Sequence, residues 1–322
     1  MVGTGSQVPE RILTNADLEK IVDTSDQWIT ERTGMKERHI AAPGEAASDL
    51  AIVACEKALA EAKVKPDELD LIIVGTVTGD MPFPSTACIL QQRLGAPHAA
   101  AFDLSAGCTG FIYALGVTQQ FVATGAFRTA LVVGVEMMSK ITDWTDRSTC
   151  VLFGDGAGAA VLKASEEPHT GILGTYLAAN GEGGPHLYMP AGGSRQPATI
   201  ETVQQRLHTC KMNGNAIFKV AVRSMADSVT HLLHQTGLKL DDVSLLIPHQ
   251  ANLRIIEATT KLLKFPSERV FVNIAKYGNT SSATTIIALD EARRAGLVHP
   301  GDVVMLVAFG AGLTWGGVAI RF

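Results

Sequence analysis

The chain has 322 residues, with 27 lysines and arginines against 32 aspartates and glutamates, and 46% of its residues are hydrophobic. This length allows one large domain or two ordinary ones, and the net charge of −5 disfavours nucleic acid as the main partner. No apolar run is long enough for a membrane span, and the N-terminal stretch lacks the basic and apolar segments of a secretory signal. We therefore expect a cytoplasmic protein with a large core.

The cysteines are odd in number, widely spaced and without a CxxC pair, which favours free thiols in a reducing compartment over a disulfide framework. His231 and His234 form the closest histidine pair, but no cysteine or carboxylate lies near them at metal-ligand spacing. The sequence therefore predicts no metal site. The cysteines are Cys55, Cys88, Cys108, Cys150 and Cys210.

The predicted elements repeat in two halves of the chain. An amphipathic helix over 47–64 precedes an acidic turn and a buried strand, and a second helix near 218–237 precedes the same pair. The segment 67–73 aligns with 241–247 at a constant offset of 174 residues, from Asp67 to Asp241. This alignment indicates an internal duplication.

Each half continues with the same kinds of element. A helix follows the buried strand, then a third strand-like segment, another helix and two glycine-rich strands; the closing strands are 129–139 with 156–164 and 302–312 with 314–322. Continuous apolar strands alternating with helices indicate sheets covered on both faces. We expect an α/β fold layered α/β/α/β/α, in which an N-terminal half, 1–168, packs intimately against a C-terminal half, 169–322.

Three segments depart from this pattern. Residues 170–212 are rich in Gly, Pro and polar residues, which predicts either an irregular insertion at the mouth of a site or a plain connector between the halves. Residues 24–40 form a second insertion. The glycine run "FGDGAGAAV" is followed by β-type residues and no helix, so we interpret it as a tight hairpin between two strands and not as a dinucleotide-binding loop.

Three polar or nucleophilic residues follow predicted strands. Cys108 lies in "DLSAGCTG" of the first half, whereas His249, in "IPHQAN", and Asn279, in "KYGNTSS", belong to the second. Functional groups gather beyond the carboxyl ends of strands in α/β sheets. If the halves pack about a pseudo-twofold axis, all three residues can face one cavity.

Cys108 alone allows four interpretations: buried filler, metal ligand, half of a disulfide or nucleophile. Its place between Gly107 and Gly110 at a predicted helix N-terminus favours the nucleophile, because the helix dipole and unpaired N–H groups lower a thiol pKa. The first of these interpretations, in which the cysteine is simply a small buried hydrophobic residue, suits Cys55, Cys88 and Cys150.

His249 is equally compatible with a cavity-facing role and with a hydrogen-bonded core histidine. Asn279 alone would be a turn residue. The case for a site rests on the three residues together, because a histidine beside a cysteine can generate or stabilise its thiolate.

The motifs resemble those of the thiolase superfamily and, within it, the β-ketoacyl-acyl-carrier-protein synthase III family, over nearly the whole chain. The resemblance implies a five-layered thiolase fold, a homodimer and a Cys-His-Asn triad at Cys108, His249 and Asn279. Asn279 stands where the elongating synthases have a second histidine, which favours the initiating type. The matching segments are "DLSAGCTGF", "FGDGAGA", "PHQANLRI", "YGNTSSAT" and "FGAGLTWGG".

The implied reaction is a decarboxylative Claisen condensation without a cofactor, in which acetyl-CoA or another short acyl-CoA is a substrate. Cys108 takes the acyl group, and malonyl-acyl carrier protein then loses carbon dioxide to give acetoacetyl-acyl carrier protein. The backbone N–H groups of Cys108 and Ala311 would form the oxyanion hole, although family members usually carry glycine at the second position. An alternative is a related enzyme that uses a longer, branched or aromatic starter.

The resemblance also assigns contacts for coenzyme A. Trp28 would stack on adenine, Arg32 would meet phosphate, Arg147 would contact the nucleotide and Asn252 the pantetheine. Without the resemblance, Trp28 would be surface packing and Arg147 a solvated charge. Phe83 matches a residue that crosses the dimer interface into the partner's acyl pocket, and its ordinary alternative is a core position.

An acidic carrier protein needs a basic surface even on a chain with negative net charge. Four basic residues on two predicted helices would supply it, or would be merely a solvated helix face: Lys219, Arg254, Lys261 and Lys264.

Overall fold

The structure is a computed structural model that describes residues 1–165, 167 and 169–322. The strands are β1 (Gly3–Gln7), β2 (Ile12–Thr14), β3 (Glu37–His39), β4 (Leu71–Gly75), β5 (Ala100–Leu104), β6 (Thr129–Met137), β7 (Asp155–Lys163), β8 (Gly171–Ala179), β9 (Leu187–Tyr188), β10 (Lys211–Met212), β11 (Leu245–Pro248), β12 (Val303–Gly310) and β13 (Thr314–Arg321). The helices are α1 (Asn15–Leu18), α2 (Asp26–Thr33), α3 (Ala47–Ala62), α4 (Thr86–Leu94), α5 (Gly110–Ala123), α6 (Arg147–Cys150), α7 (Ile200–Gln204), α8 (Gly214–Thr236), α9 (Leu253–Leu263), α10 (Ile274–Tyr277) and α11 (Thr284–Arg294).

The first sheet has the strand order β1-β7-β6-β4-β5. Strands β4, β5 and β6 are parallel, while β7 runs antiparallel to both β6 and β1. Residues of β4, β6 and β7 are almost all buried, as expected for strands covered by helices on both faces. Strand β5 is the edge of the sheet and is only partly covered.

The second sheet repeats this plan in the order β11-β12-β13-β8. Strand β11 is parallel to β12, and β13 is antiparallel to both β12 and β8. The prediction of an irregular segment over 170–212 is therefore wrong at its start, because 171–179 form β8. This strand pairs with β13 as β1 pairs with β7. The missed signal was the β-favouring content of "GILGTYLAA", which has Ile, Thr and Tyr between its glycines and alanines.

Helices cover the sheets in the predicted five layers. One apolar core joins α3 and α4 to the outer face of the first sheet, and another joins α8 and α9 to the outer face of the second. A third core lies between the sheets and contains α5 and α11. The alternation α/β/α/β/α is confirmed. None of the described helices is both long and apolar enough to cross a membrane.

Two local predictions are wrong. The run "FGDGAGAAV" forms no tight hairpin: most of it lies within β7, and the connection from β6 passes through a 3₁₀ turn and α6. Cys88 is exposed, with its thiol 3.6 Å from the carbonyl oxygen of Ala101. Cys55 and Cys150 are buried as expected.

Candidate active site

Cys108 lies at the meeting point of two cavities. The residue sits in a 3₁₀ turn, Gly107–Thr109, between β5 and the first residue of α5. It lines a cavity of about 350 Å³ on one side and a cavity of about 110 Å³ on the other. His249 and Asn279 line the smaller cavity with it. The three sequence-predicted residues therefore share one compartment.

Glycines let the backbone of Ala311 approach the nucleophile candidate. Gly107 has a φ of 55°, which side chains rarely adopt, and a Cβ there would lie 2.9 Å from the backbone nitrogen of Ala311. A Cβ on Gly310 would lie 2.6 Å from the nitrogen of Cys108. The Ala311 N–H points its positive end toward the sulfur and lowers the pKa of Cys108, which favours the thiolate. The family resemblance predicts an oxyanion hole at this place.

The pKa of Cys108 moves opposite to the expected direction. Burial raises it to about 12, and the hydrogen bonds from the Ser281 hydroxyl and the Ala311 N–H offset only part of that rise. A buried thiolate loses its hydration, and this cost exceeds the gain from the helix N-terminus. The resting residue is therefore a thiol, and reaction requires another group to take its proton.

His249 is buried and neutral. It follows β11, and burial lowers its pKa to about 3. Its Nδ1 lies 2.6 Å from Oγ1 of Thr284, and that hydroxyl also lies 3.1 Å from the carbonyl oxygen of Ser281. The Thr284 hydroxyl has one hydrogen for these two acceptors. Given to Nδ1, it leaves the imidazole proton on Nε2, which is then a donor; given to Ser281, it makes Nδ1–H the donor to Thr284 and Nε2 an acceptor.

Asn279 is positioned by both halves. Its backbone N–H donates to Leu152, and its carbonyl accepts from Gly154, so the segment before β7 holds it. Its Oδ1 accepts from the N–H of Ser281 at 2.8 Å. No described residue accepts from Nδ2, which leaves that amide group as a donor for a ligand in the cavity.

Sequence reasoning missed Glu136 and Ser281. Glu136 is fully buried near the end of β6, and Ser281 lies between it and Cys108. The signal for Glu136 was available: it is the single charged residue of "TALVVGVEM", an otherwise apolar strand. Buried carboxylates are rare without a partner or a role.

The predicted coenzyme A residues form one cluster outside the smaller cavity. The guanidinium carbons of Arg32 and Arg147 lie 5.9 Å and 4.9 Å from the ring centroid of Trp28. Asn252 donates to the carbonyl oxygen of Arg32 at 3.0 Å and lines the cavity. The Arg147 side chain also donates to the carbonyl oxygen of Asp23.

Phe83 is not a core residue. Its side chain is 85% exposed, so the ordinary core alternative is wrong. Other large hydrophobic side chains are also exposed in this part of the first half, on the loop after β4 and on the edge strand β5: Val77, Met81 and Phe102. Such a surface is typical of an interaction site.

The predicted basic residues lie along two packed helices. Lys219 is exposed on α8, and Arg254 at the start of α9 lies with its guanidinium carbon 5.8 Å from the ring of Phe218, which lines the smaller cavity. Lys261 and Lys264 are exposed at the other end of α9. At 1.5 Å per residue they are roughly 10 and 15 Å further from the cavity than Arg254.

The larger cavity is mainly apolar. Its walls come from the loop after β4, the segment between β6 and β7 and the segment before α8, and they include Val77, Met138, Ile141, Phe153 and Cys210. These side chains surround the space next to the sulfur of Cys108. The cavity therefore suits a small apolar group attached to that sulfur.

Two sequence families match the chain. The family described as 3-oxoacyl-[acyl-carrier-protein] synthase III matches residues 102–181, and the C-terminal family of the same description matches residues 233–322. The β-ketoacyl-[acyl-carrier-protein] synthase III of Caldanaerobacter subterraneus is 59% identical over 322 residues, which are 100% of this chain and 97% of that relative.

Solved structures give the same result. The 3-oxoacyl-[acyl-carrier-protein] synthase III of Aquifex aeolicus is 49% identical, with a TM-score of 0.92 over 100% of this chain and 99% of that one. The priming β-ketosynthase of the R1128 polyketide pathway is 36% identical, with a TM-score of 0.92 over 100% and 95% of the two chains. The likeness covers every layer of the fold described above.

Proposed function

The chain belongs to the 3-oxoacyl-[acyl-carrier-protein] synthase III family of condensing acyltransferases, and on that premise we propose that it joins a short acyl group from acyl-CoA to malonyl-acyl carrier protein. With acetyl-CoA the products are acetoacetyl-acyl carrier protein, coenzyme A and carbon dioxide. The observation that supports this proposal best is the shared cavity of Cys108, His249 and Asn279.

In the first half-reaction the sulfur of Cys108 attacks the thioester carbonyl of acyl-CoA. The N–H groups of Cys108 and Ala311 hold the oxyanion of the tetrahedral intermediate. The bond to coenzyme A then breaks, and the acyl group stays on Cys108 in the larger cavity. Its apolar walls favour an acyl chain over a charged group.

In the second half-reaction the malonyl thioester occupies the smaller cavity. The Nδ2 group of Asn279 and, in the tautomer in which Thr284 donates to Nδ1, the Nε2–H of His249 donate to its thioester carbonyl, which becomes an enolate oxygen as carbon dioxide leaves. His249 is a neutral donor in this step, because its pKa of about 3 keeps it uncharged near pH 7. The enolate carbon attacks the acyl-Cys108 carbonyl and releases the sulfur.

Coenzyme A binds along the cluster outside the smaller cavity. Trp28 offers an aromatic face for adenine, and two arginines beside it carry positive charge for phosphate. Asn252 stands between this cluster and Cys108, where the pantetheine arm must pass. The long separation between nucleotide and thioester in coenzyme A fits this arrangement.

The functional unit is a homodimer. Edge strand β5 leaves backbone groups unpaired in the single chain, and Phe102 on it is exposed. Pairing of β5 with β5 of a second copy would cover this edge. Phe83, 85% exposed, would then reach the partner's larger cavity.

The carrier protein docks on α8 and α9. Arg254 lies against Phe218, which lines the smaller cavity, and Lys219 is the next residue of α8. Both would hold an acidic partner with its prosthetic arm over the entrance. Lys261 and Lys264 lie further along α9 and would act mainly on the association rate. A free thiol at Cys108 suits the reducing cytoplasm, where we place the reaction.

Mass spectrometry after incubation with acetyl-CoA tests the nucleophile. We expect the wild-type chain to gain one acetyl group and a Cys108→Ser variant to gain almost none, whereas the exposed-thiol control Cys88→Ser is acetylated like wild type. Equal acetylation of the Cys108→Ser and wild-type chains would refute the mechanism.

A further inference from the structure

Glu136 is a buried carboxylic acid to which the steps above give no role. It is 0% exposed and lies one residue before the end of β6. The N–H of Val77 donates to it at 3.2 Å, the hydroxyl of Thr76 at 3.4 Å, and the hydroxyl of Thr78 also donates to it. Its partners among the described residues are neutral donors and not a basic side chain, and such a buried carboxylic acid is costly to retain without a role.

Ser281 connects this carboxyl group to the nucleophile. Its Oγ lies 3.5 Å from Sγ of Cys108 and 3.2 Å from Oε1 of Glu136. A hydroxyl has one hydrogen, so it donates to one neighbour and accepts from the other. When Cys108 is a thiol, S–H donates to Ser281 and Ser281 donates to the Glu136 carboxylate. When Cys108 is a thiolate, both hydrogen bonds reverse.

The backbone holds Ser281 in this bridging place. Its φ is 51°, a conformation that costs energy for a residue other than glycine. Its N–H donates to Oδ1 of Asn279, so the same residue also orients the amide of the site. A strained backbone conformation persists only where contacts with neighbouring groups hold it in place. The groups that contact Ser281 include Cys108, Glu136 and Asn279.

Among the described groups around the thiol, Glu136 is the better base. Burial lowers the pKa of His249 to about 3, which leaves it unable to keep a proton near neutral pH. Burial raises the pKa of Glu136 to about 7, while donors from Thr78, Val77, Ser282 and Ser281 hold it down from a higher value. A base is most effective when its pKa is near the working pH.

We propose that Glu136 takes the proton of Cys108 through the Ser281 hydroxyl and returns it when the product leaves. Glu136 is thus a positioning residue that acts through Ser281 and does not touch the substrate. The inference rests on the proposed function, because it requires Cys108 to be the nucleophile.

The protons balance over the cycle. The thiol gives its proton to Ser281 Oγ while the Ser281 hydroxyl gives its own to Glu136, so thiolate and neutral carboxylic acid replace thiol and carboxylate. The thiolate forms the new S–C bond, and the coenzyme A thiolate leaves and is protonated by water. After carbon–carbon bond formation the Cys108 thiolate departs and recovers the proton from Glu136 by the reverse path.

Two other acidic residues on neighbouring strands form hydrogen bonds with groups other than Glu136. Asp155 on the adjacent β7 accepts from Ala41 and Ser139, and Asp103 on β5 accepts from the backbone at the start of α4. The titratable group that responds to Glu136 is Cys108, whose pKa the negative carboxylate raises.

The test measures the rate of Cys108 acylation by acetyl-CoA in a single turnover from pH 5.5 to 9. For wild type we expect a limb that rises with pH through about 7, because Glu136 must be ionised to accept the proton. Glu136→Gln should lose that limb and acylate about 100-fold more slowly at pH 7. Ser281→Ala should be slowed similarly, and the double variant no further, because the two residues act in one path.

Two readouts separate a proton path from a structural role. Malonyl decarboxylation, which depends on His249 and Asn279, should stay near wild type in Glu136→Gln, and Glu136→Asp should recover part of the acylation rate. Thr76→Val is the matched control: it removes a donor to Glu136 outside the path and should alter acylation by about twofold at most. If wild type is acylated and Glu136→Gln matches it in rate and pH profile, the path is refuted. If wild type is not acylated, the proposed function fails instead.

Discussion

The two halves of the chain share a plan and differ in what their sheets expose and carry. The offset of 174 residues between the halves also holds for strand pairing. Leu71 pairs with Ala130 in the first sheet, and Leu245 pairs with Val304 in the second. By the same offset, Glu136 of β6 is equivalent to Gly310 of β12. One half keeps a buried acid there, and the other keeps a glycine that lets the Cys108 backbone approach.

The edges of the sheets differ too. In the first sheet, β5 is a regular five-residue strand with an unpaired outer side. In the second, the corresponding segment makes a single bridge, Leu246 with Val270. In the proposed mechanism the first half supplies the nucleophile, its proton acceptor and the open edge, while the second supplies the bridging Ser281 and further hydrogen-bond donors to the substrate. A duplicated fold can divide one reaction between its copies in this way.

Of the variants proposed here, Asn279→Ala should show the largest difference between the two half-reactions. We expect decarboxylation of malonyl-acyl carrier protein to fall by about 10²- to 10³-fold, because a preorganised donor to the enolate is lost. Acylation of Cys108 should stay within a few-fold of wild type by single-turnover mass spectrometry. An equal loss of both half-reactions would mean that the halves do not divide the chemistry.

Glu136 should make stability depend on pH. Its folded pKa of about 7 exceeds the ordinary 4.5, so between these values the folded chain binds a proton that the unfolded chain releases. The free energy of unfolding therefore falls as pH rises through this interval, by on the order of 3 kcal/mol. Urea unfolding at pH 5 and pH 8 should show a smaller difference for Glu136→Gln, and an unchanged difference would contradict the assignment.

Phe102→Lys tests the contrast between the sheet edges. The variant dimer loses one aromatic side chain from each protomer, about 4 kcal/mol in total, which would raise the dimer dissociation constant about a thousandfold. Val272→Lys is the control, because Val272 is 40% exposed in the corresponding segment of the second half. Sedimentation should show weakened dimers for the first variant alone; dimers weakened equally by both would refute the proposed interface.

Thr284→Val has the smallest expected effect. Without its hydroxyl, nothing holds His249 in the tautomer with a proton on Nε2, and condensation should slow about tenfold, the value of roughly one hydrogen bond. Thr284→Ser keeps the hydroxyl and should restore the rate. Condensation kinetics with acylated enzyme measure this, and equal rates for the Val and Ser variants would exclude the role.

Much of the fold, and the shared cavity of Cys108, His249 and Asn279, was predictable because local patterns carry them. Buried strands, amphipathic helices and strand-end polar residues are visible along the chain, and the duplication places Cys108 and Asn279 at corresponding strand-to-helix corners. Strand β8 was missed because its glycines and its polar surroundings resemble a loop, whereas pairing with β13 decides its structure. Tertiary pairing overrides local composition in such strands.

The chemistry near Cys108 was less predictable. A helix N-terminus suggests a lowered thiol pKa, but the extent of burial, which reverses the direction, depends on side chains from many segments. Ser281 and Glu136 are 145 residues apart in the chain, and their contact appears only after folding. A single acidic residue in an apolar strand indicates a position with a special role, but the sequence does not predict which residue it will contact.

The middle layer of the molecule limits how the two repeats can change over time. Helix α11 of the second repeat packs on β1 and β7 of the first, and α5 of the first packs on β13 and β8 of the second. Each repeat thus completes the other's interior, and neither would be a self-sufficient folding unit if expressed alone. A mutation in either helix changes packing against both sheets. The two repeats must therefore evolve together, although the residues that they contribute to the shared cavity differ.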